Sequence, residues 1–147
     1  MLPIKKILCP TDFSEPSDMG MKAAVEFAEQ FSAELLVVHV ISPMPMVSSS
    51  TAYLPQIIEG LRESAQKGME DLFTEIIPQN IRAGYRIVDG STAETIVKMA
   101  VEEDADLIVI ATHGQSGWRK FVFGSVTEKV MRIAECPVLT IRPRKKS

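Results

Sequence analysis

At 147 residues, with 46% hydrophobic and 24% charged residues, the chain has the balance of one globular domain and not that of a disordered or fibrous polymer. The formal charge is −3, and basic residues are scattered except for Arg142, Arg144, Lys145 and Lys146, which argues against nucleic acid as a principal partner. No apolar run approaches the roughly 18 residues needed to cross a bilayer, and Met1-Leu2-Pro3-Ile4-Lys5-Lys6 lacks a secretory pattern, so a cytoplasmic chain with no membrane partner is expected.

Ile4 to Cys9 is short, apolar and closed by Pro10, which predicts a buried strand ending in a turn. Ser14-Glu15-Pro16 supplies an N-cap followed by proline in the first turn, and Met21, Ala24, Val25, Ala28 and Phe31 recur at helical spacing. Leu35 to Ile41 is a continuous apolar run rich in β-branched residues, as expected of a strand covered on both faces. Pro43 to Tyr53 has two prolines, three consecutive serines and no periodicity, and reads as a loop. Leu54, Ile57, Ile58, Leu61, Ala65, Met69, Leu72, Phe73 and Ile76 mark one face of a long helix that Pro78 stops.

Tyr85 to Val88 is the third predicted strand, and Ser91-Thr92-Ala93-Glu94 matches a capping box before a helix through Ile96, Val97, Ala100 and Val101. Leu107 to Ala111 is the fourth strand. Ser125-Val126-Thr127-Glu128 is a second capping box, opening a helix through Val130, Met131 and Ala134, and Pro137 to Ile141 is a final strand. Five strands alternating with four helices predict an α/β fold: a single-domain, doubly wound, mostly parallel sheet with helices on both faces. Cys9 and Cys136 lie far apart with no metal-binding spacing, so two reduced thiols are expected.

In such sheets the ligand crevice lies beyond the carboxyl ends of the strands where strand order reverses. The strand ends with unusual chemistry are the first, Cys9-Pro10-Thr11-Asp12, and the fourth, Ala111-Thr112-His113-Gly114. Gly124-Ser125 stands where the next helix begins, and a helix N-terminus suits a phosphate, although Ser125 and Glu128 may instead cap each other. No GxxxxGK[ST] occurs and no GxGxxG follows the first strand, so neither Walker-type hydrolysis nor hydride transfer has support.

Ile7-Leu8-Cys9-Pro10-Thr11-Asp12-Phe13-Ser14, Val38-His39-Val40, Thr112-His113-Gly114 and Gly124-Ser125-Val126-Thr127-Glu128 together resemble the universal stress protein family over essentially the whole chain. The resemblance implies an adenine nucleotide alpha hydrolase-like fold. The nucleotide-binding subgroup carries Gly-x-x-Gly, nine residues, then Gly-Ser or Gly-Thr; here Gly114 and Gly124-Ser125 match, while Ala111 replaces the first glycine. It implies that Asp12 meets the ribose or a phosphate-bound magnesium through water, with Pro10 and Thr11 shaping the turn. Val40 would be an adenine wall, and Gly114, Gln115, Ser116, Gly124, Ser125 and Val126 would surround the phosphates.

Duller roles stand beside these. Asp12 fits a support for its own turn; His113 fits a hydrogen-bonding prop; His39 fits a satisfied core residue; Trp118, Phe121 and Phe123 fit packing or an interface; Arg119 and Lys120 fit phosphate steering or solvated surface charge. The expected function is an ATP- or AMP-binding module in stress response or signalling whose occupancy alters its interactions with a protein partner yet to be identified. The alternatives are a slow ATPase or phosphotransferase, which lacks a visible base, nucleophile and arginine finger, and a nucleotide-free interaction protein. The resemblance and the apolar edge strand both point to a homodimer through Val138 to Ile141.

Overall fold

The computed structural model describes residues 2–43, 54–113 and 124–143. Strand and helix alternate as β1 (Lys6–Pro10), α1 (Glu15–Phe31), β2 (Glu34–Ile41), α2 (Leu54–Glu75), β3 (Ala83–Asp89), α3 (Thr92–Glu102), β4 (Leu107–Ala111), α4 (Ser125–Ile133) and β5 (Val138–Ile141). The five strands form one sheet in the order β3-β2-β1-β4-β5. Each neighbouring pair is parallel, so the expected doubly wound α/β architecture is present.

The apolar runs explain why helices cover both faces. Ile7, Leu8 and Cys9 of β1 and Ile108 and Val109 of β4 are wholly buried. Because side chains alternate along a strand, Ile7, Cys9, Val37 and Val109 meet Met21, Ala24 and Ala28 of α1 with Met69 and Leu72 of α2. Leu8, Val38, Ile108 and Ile110 meet Ile96 and Ala100 of α3 with Val130 of α4 on the other face. Each of these large side chains contributes about 1.5–3 kcal/mol by leaving water.

The long helix α2 is seated over only part of its length. Ala65, Met69 and Leu72 are buried, whereas Ile57, Ile58 and Leu61 in its earlier turns are exposed. Arg62 pairs with Asp89, and Gln66 Nε2 donates to the Tyr85 hydroxyl at 2.6 Å, tying the helix to β3.

Neither capping box forms as the sequence suggests. Ser91 is the N-cap of α3 but makes no side-chain cap bond, and Glu94 instead pairs with Lys129 of α4. The N-cap of α4 is Gly124, which makes Ser125 the first helical residue and not the cap. Thr127 accounts for the shift: it is buried, and its hydroxyl donates to the Ala111 carbonyl at 2.7 Å, anchoring the helix start to the end of β4. A cationic partner across two helices and a buried strand carbonyl therefore outcompete the local caps.

Burial pushes the Cys9 thiol up to about 12. The thiolate is the nucleophile, so the native protein should leave Cys9 unmodified by a thiol reagent at mildly alkaline pH and expose it only in denaturant. Mass mapping of the labelled peptides checks this, and rapid native labelling of Cys9 contradicts the packing described.

Candidate functional site

The order β3-β2-β1-β4-β5 makes the chain leave β1 toward one side of the sheet and return to β4 on the other, so the reversal falls between β1 and β4. Register places the residues at that edge. Pro10 pairs with Val38 and Leu8 with Ile108, so Thr11 and Asp12 lie beyond the end of β1 at the level of Val40 and of the end of β4. The Thr11 N–H donates to the Val38 carbonyl at 2.9 Å, which holds the departing chain against β2.

Beyond Thr11 the backbone turns sharply into α1. Thr11 is buried, and its hydroxyl oxygen accepts from the Phe13 N–H at 3.0 Å. Ser17 donates its one hydroxyl proton to the Ser14 carbonyl at 2.9 Å, so Thr11 is the donor in the 3.1 Å bond between the Thr11 and Ser17 hydroxyls. Asp12 Oδ1 accepts from the Ser14 N–H at 3.0 Å and from the Ser14 hydroxyl. Ser14 in turn caps α1 by accepting from the Ser17 N–H. Asp12 therefore does support its turn, and this is compatible with a ligand role because a carboxylate has lone pairs for about four donors. His39 is half-buried, and its Nδ1 donates to the Thr11 carbonyl at 2.8 Å, as a satisfied core histidine should.

At the end of β4, Ala111 is buried, and a Cβ built on Gly20 of α1 would stand 3.4 Å from the Ala111 Cβ and 3.2 Å from its nitrogen. The Ala111 methyl is thus packed toward α1, where the bare Gly20 leaves it room. The Thr112 hydroxyl is hydrogen-bonded to His113 Nδ1 at 2.9 Å, which fits the prop expected of His113. The Gly124 N–H donates to the Thr112 carbonyl, setting the start of α4 directly beside β4.

Gly124 has an extended backbone, φ −70° and ψ 160°, open to any residue, so no left-handed turn requires glycine there. Ser125 and Val126 are exposed at the first positions of α4. The N–H groups of Ser125, Val126 and Thr127 precede any intrahelical acceptor, and the helix dipole gives this end about half a positive charge. On the β1 side burial pushes the Asp18 carboxyl up, with Lys22 opposing this and Asp12, Glu75 and Glu15 adding to it.

Pro10, Thr11, Asp12, Val40, Ala111, Gly124, Ser125 and Val126 thus share one edge of the sheet; Gly114, Gln115 and Ser116 lie outside the described residues, as do Trp118, Arg119, Lys120, Phe121 and Phe123. Among the described residues, no group of three or more His, Cys, Asp or Glu side chains is placed to hold a metal ion. Sequence reasoning missed Phe13, Gly20, Gly68 and Thr127. Two of these are glycines inside helices, where glycine costs about 0.5–1 kcal/mol against alanine, and that cost was the available signal.

The parallel sheet with helices on both faces and a polar edge at the β1–β4 reversal is of the adenine nucleotide alpha hydrolase-like class. Residues 3–142 match the model of the universal stress protein family, and the chain belongs to that family. It is 33% identical to universal stress protein MJ0531 of Methanocaldococcus jannaschii over 97% of this chain and 84% of that one. The solved structure of MJ0577, from the same organism, is 31% identical and superposes with a TM-score of 0.86, covering 97% of this chain and 99% of that one. A universal stress protein of Archaeoglobus fulgidus solved in complex with dAMP, 22% identical, shares the fold with a TM-score of 0.62 over 95% of this chain and 98% of that one.

If the Thr127 hydroxyl holds α4 to β4 as described, Thr127→Val, which keeps the shape and deletes the donor, should destabilise the protein by about 1–3 kcal/mol in urea unfolding. Unchanged stability would place the anchor elsewhere.

Proposed function

We propose that the β1–β4 crevice binds an adenine nucleotide, ATP or AMP, and that occupancy, not turnover, is the signal this chain delivers in stress response. The observation that carries the reading is the polarity of the crevice. Asp12 stands at the β1 end, and the N-terminus of α4, bare at Gly124, is pinned beside the β4 end. A phosphate is repelled by the first and attracted by the second, while ribose hydroxyls can donate to the first. A nucleoside phosphate laid with its ribose toward Asp12 and its phosphates toward Ser125 and Val126 satisfies both ends. Val40, at the neighbouring strand end, offers an apolar wall for the base. The Archaeoglobus protein, solved with dAMP, supports the fold's capacity for such a ligand.

In the other arrangement that the resemblance implies, Asp12 would hold a phosphate-bound magnesium through water in place of the ribose, with Pro10 and Thr11 shaping its turn. By the resemblance, Gly114, Gln115 and Ser116, which lie outside the described residues, would surround the phosphates. The replacement of that motif's first glycine by Ala111 is compatible with binding, because its methyl is accommodated by Gly20.

Mass spectrometry of the nucleotide that co-purifies with the folded protein tests the ligand directly. Gly124→Val, which the extended backbone tolerates, should abolish ATP binding in calorimetry by occupying the space of the phosphate. Ser125→Ala should weaken it by about 1–3 kcal/mol. Wild-type affinity in both variants refutes the site. Hydrolysis is expected to be no faster than about one turnover per minute, against roughly 1–1,000 per second for ordinary enzymes; several turnovers per second, lost in Asp12→Ala, would make the chain an ATPase.

We further propose a homodimer. Val138 to Ile141 form an edge strand paired to β4 along one side. An apolar edge of this kind invites a second copy, and twofold pairing closes the assembly. Thr140→Lys and Ile141→Lys should shift sedimentation toward monomer. A wild type that sediments as a monomer at tens of micromolar overturns the dimer.

A further inference from the structure

Phe13 follows Asp12 directly, and its backbone is left-handed at φ 63°. A bulky residue adopts that conformation only when its surroundings hold it there. Two contacts do so. The ring lies 4.6 Å from the His39 ring at a tilt of 37°, and His39 is anchored by its bond to the Thr11 carbonyl. On α2, a Cβ at Gly68 would stand 2.7 Å from Cδ1 and Cε1 of Phe13 and 2.9 Å from Cγ, so only glycine lets the helix come this close to the ring. Gly60, about two turns earlier in the same helix, has nothing within 4 Å of its Cβ position, so the crowding is particular to Gly68.

The position of Phe13 in the turn gives this contact its consequence. The Phe13 N–H donates to the Thr11 hydroxyl, and the next N–H, of Ser14, donates to Asp12 Oδ1. The φ and ψ of Phe13 lie between these two bonds. Any movement of the ring that rotates the Phe13 backbone changes where the Asp12 carboxylate is held.

We infer that Phe13 is a positioning residue for Asp12: its ring, packed on His39 and on the bare backbone of Gly68, fixes the left-handed turn that orients the carboxylate, so that the seating of α2 sets the affinity of the crevice. This inference rests on the nucleotide reading of the site. Phe13 itself need not touch the ligand. Its effect passes through the turn, and α2 meets the ring at Gly68.

The test is a double-mutant cycle read by ATP calorimetry and by hydrogen exchange at the Ser14 amide. Gly68→Ala drives a methyl into the ring and should lower affinity about tenfold, while Gly60→Ala, the same change on the same helix, leaves it at the wild-type value. Phe13→Gly keeps the left-handed backbone but removes the ring, and should also lower affinity; adding Gly68→Ala to it should cost nothing more, because the collision has gone. A role in packing alone predicts lowered melting temperatures with wild-type affinity of the folded protein, and that result overturns the inference. So do fully additive losses in the double variant.

Ser14 exchange reports the turn without any nucleotide. It should accelerate in Gly68→Ala and Phe13→Gly and stay unchanged in Gly60→Ala; wild-type exchange in the first two overturns the positioning role. Should the wild type bind no adenine nucleotide, the reading of the site fails, and Ser14 exchange alone then decides whether Phe13 holds the turn. If Gly68→Ala does not fold, Phe13→Gly and the milder Phe13→Leu carry both measurements.

Discussion

The central constraint on this molecule is that β1 and β4 lie side by side and are buried on both faces, with Ile7, Leu8, Cys9, Ile108 and Val109 removed from water. Strands apolar on both sides require a helical layer above and below the sheet. Supplying those layers from one chain with parallel neighbours demands crossovers, and the crossover helices α1, α3 and α4 all begin at the carboxyl edge of the sheet. The crevice at the β1–β4 reversal follows from how the core is covered, before any particular residue is chosen to line it.

Polar groups are concentrated where that geometry opens. Among the described residues the buried polar side chains are Thr11, Ser17, Thr112 and Thr127. Each is at the ends of β1 or β4 or in the helices that start beside them, and each is hydrogen-bonded. Their bonds run to carbonyls, backbone N–H groups, the His113 ring and one another, holding two loop departures in fixed positions. A cradle for a ligand must be rigid before the ligand arrives, because ordering it on binding subtracts from affinity. The hydroxyls do this at low volume.

The packing of Ala111 illustrates how this edge is fitted across the sheet. Its methyl finds room on α1, where Gly20 has no side chain to collide with it. A position judged along the chain alone looks like damage to a phosphate loop. Judged across the sheet, it is one half of a packing pair in which the second residue is small.

Local information in the sequence was enough for the nine elements, because continuous apolar runs and helical spacing are signals carried by neighbours in the chain. It also pointed to Asp12, Ala111, Gly124 and Ser125, since strand ends and helix starts in an α/β pattern converge on one edge. The tertiary structure decided what depends on residues far apart. The register that sets Val40 level with Asp12 comes from the pairing of β1 with β2. The start of α4 at Ser125 is fixed by a bond from Thr127 to Ala111, and Glu94 is claimed by Lys129, so both capping boxes gave way to partners in other elements. Phe13 in a left-handed turn against Gly68 was likewise invisible, because the cost of that backbone is local while the contacts that offset it come from β2 and α2. Periodicity records which face of an element is apolar; only packing determines which atoms on two such faces meet, because the free energy of a contact depends on both partners being held in place.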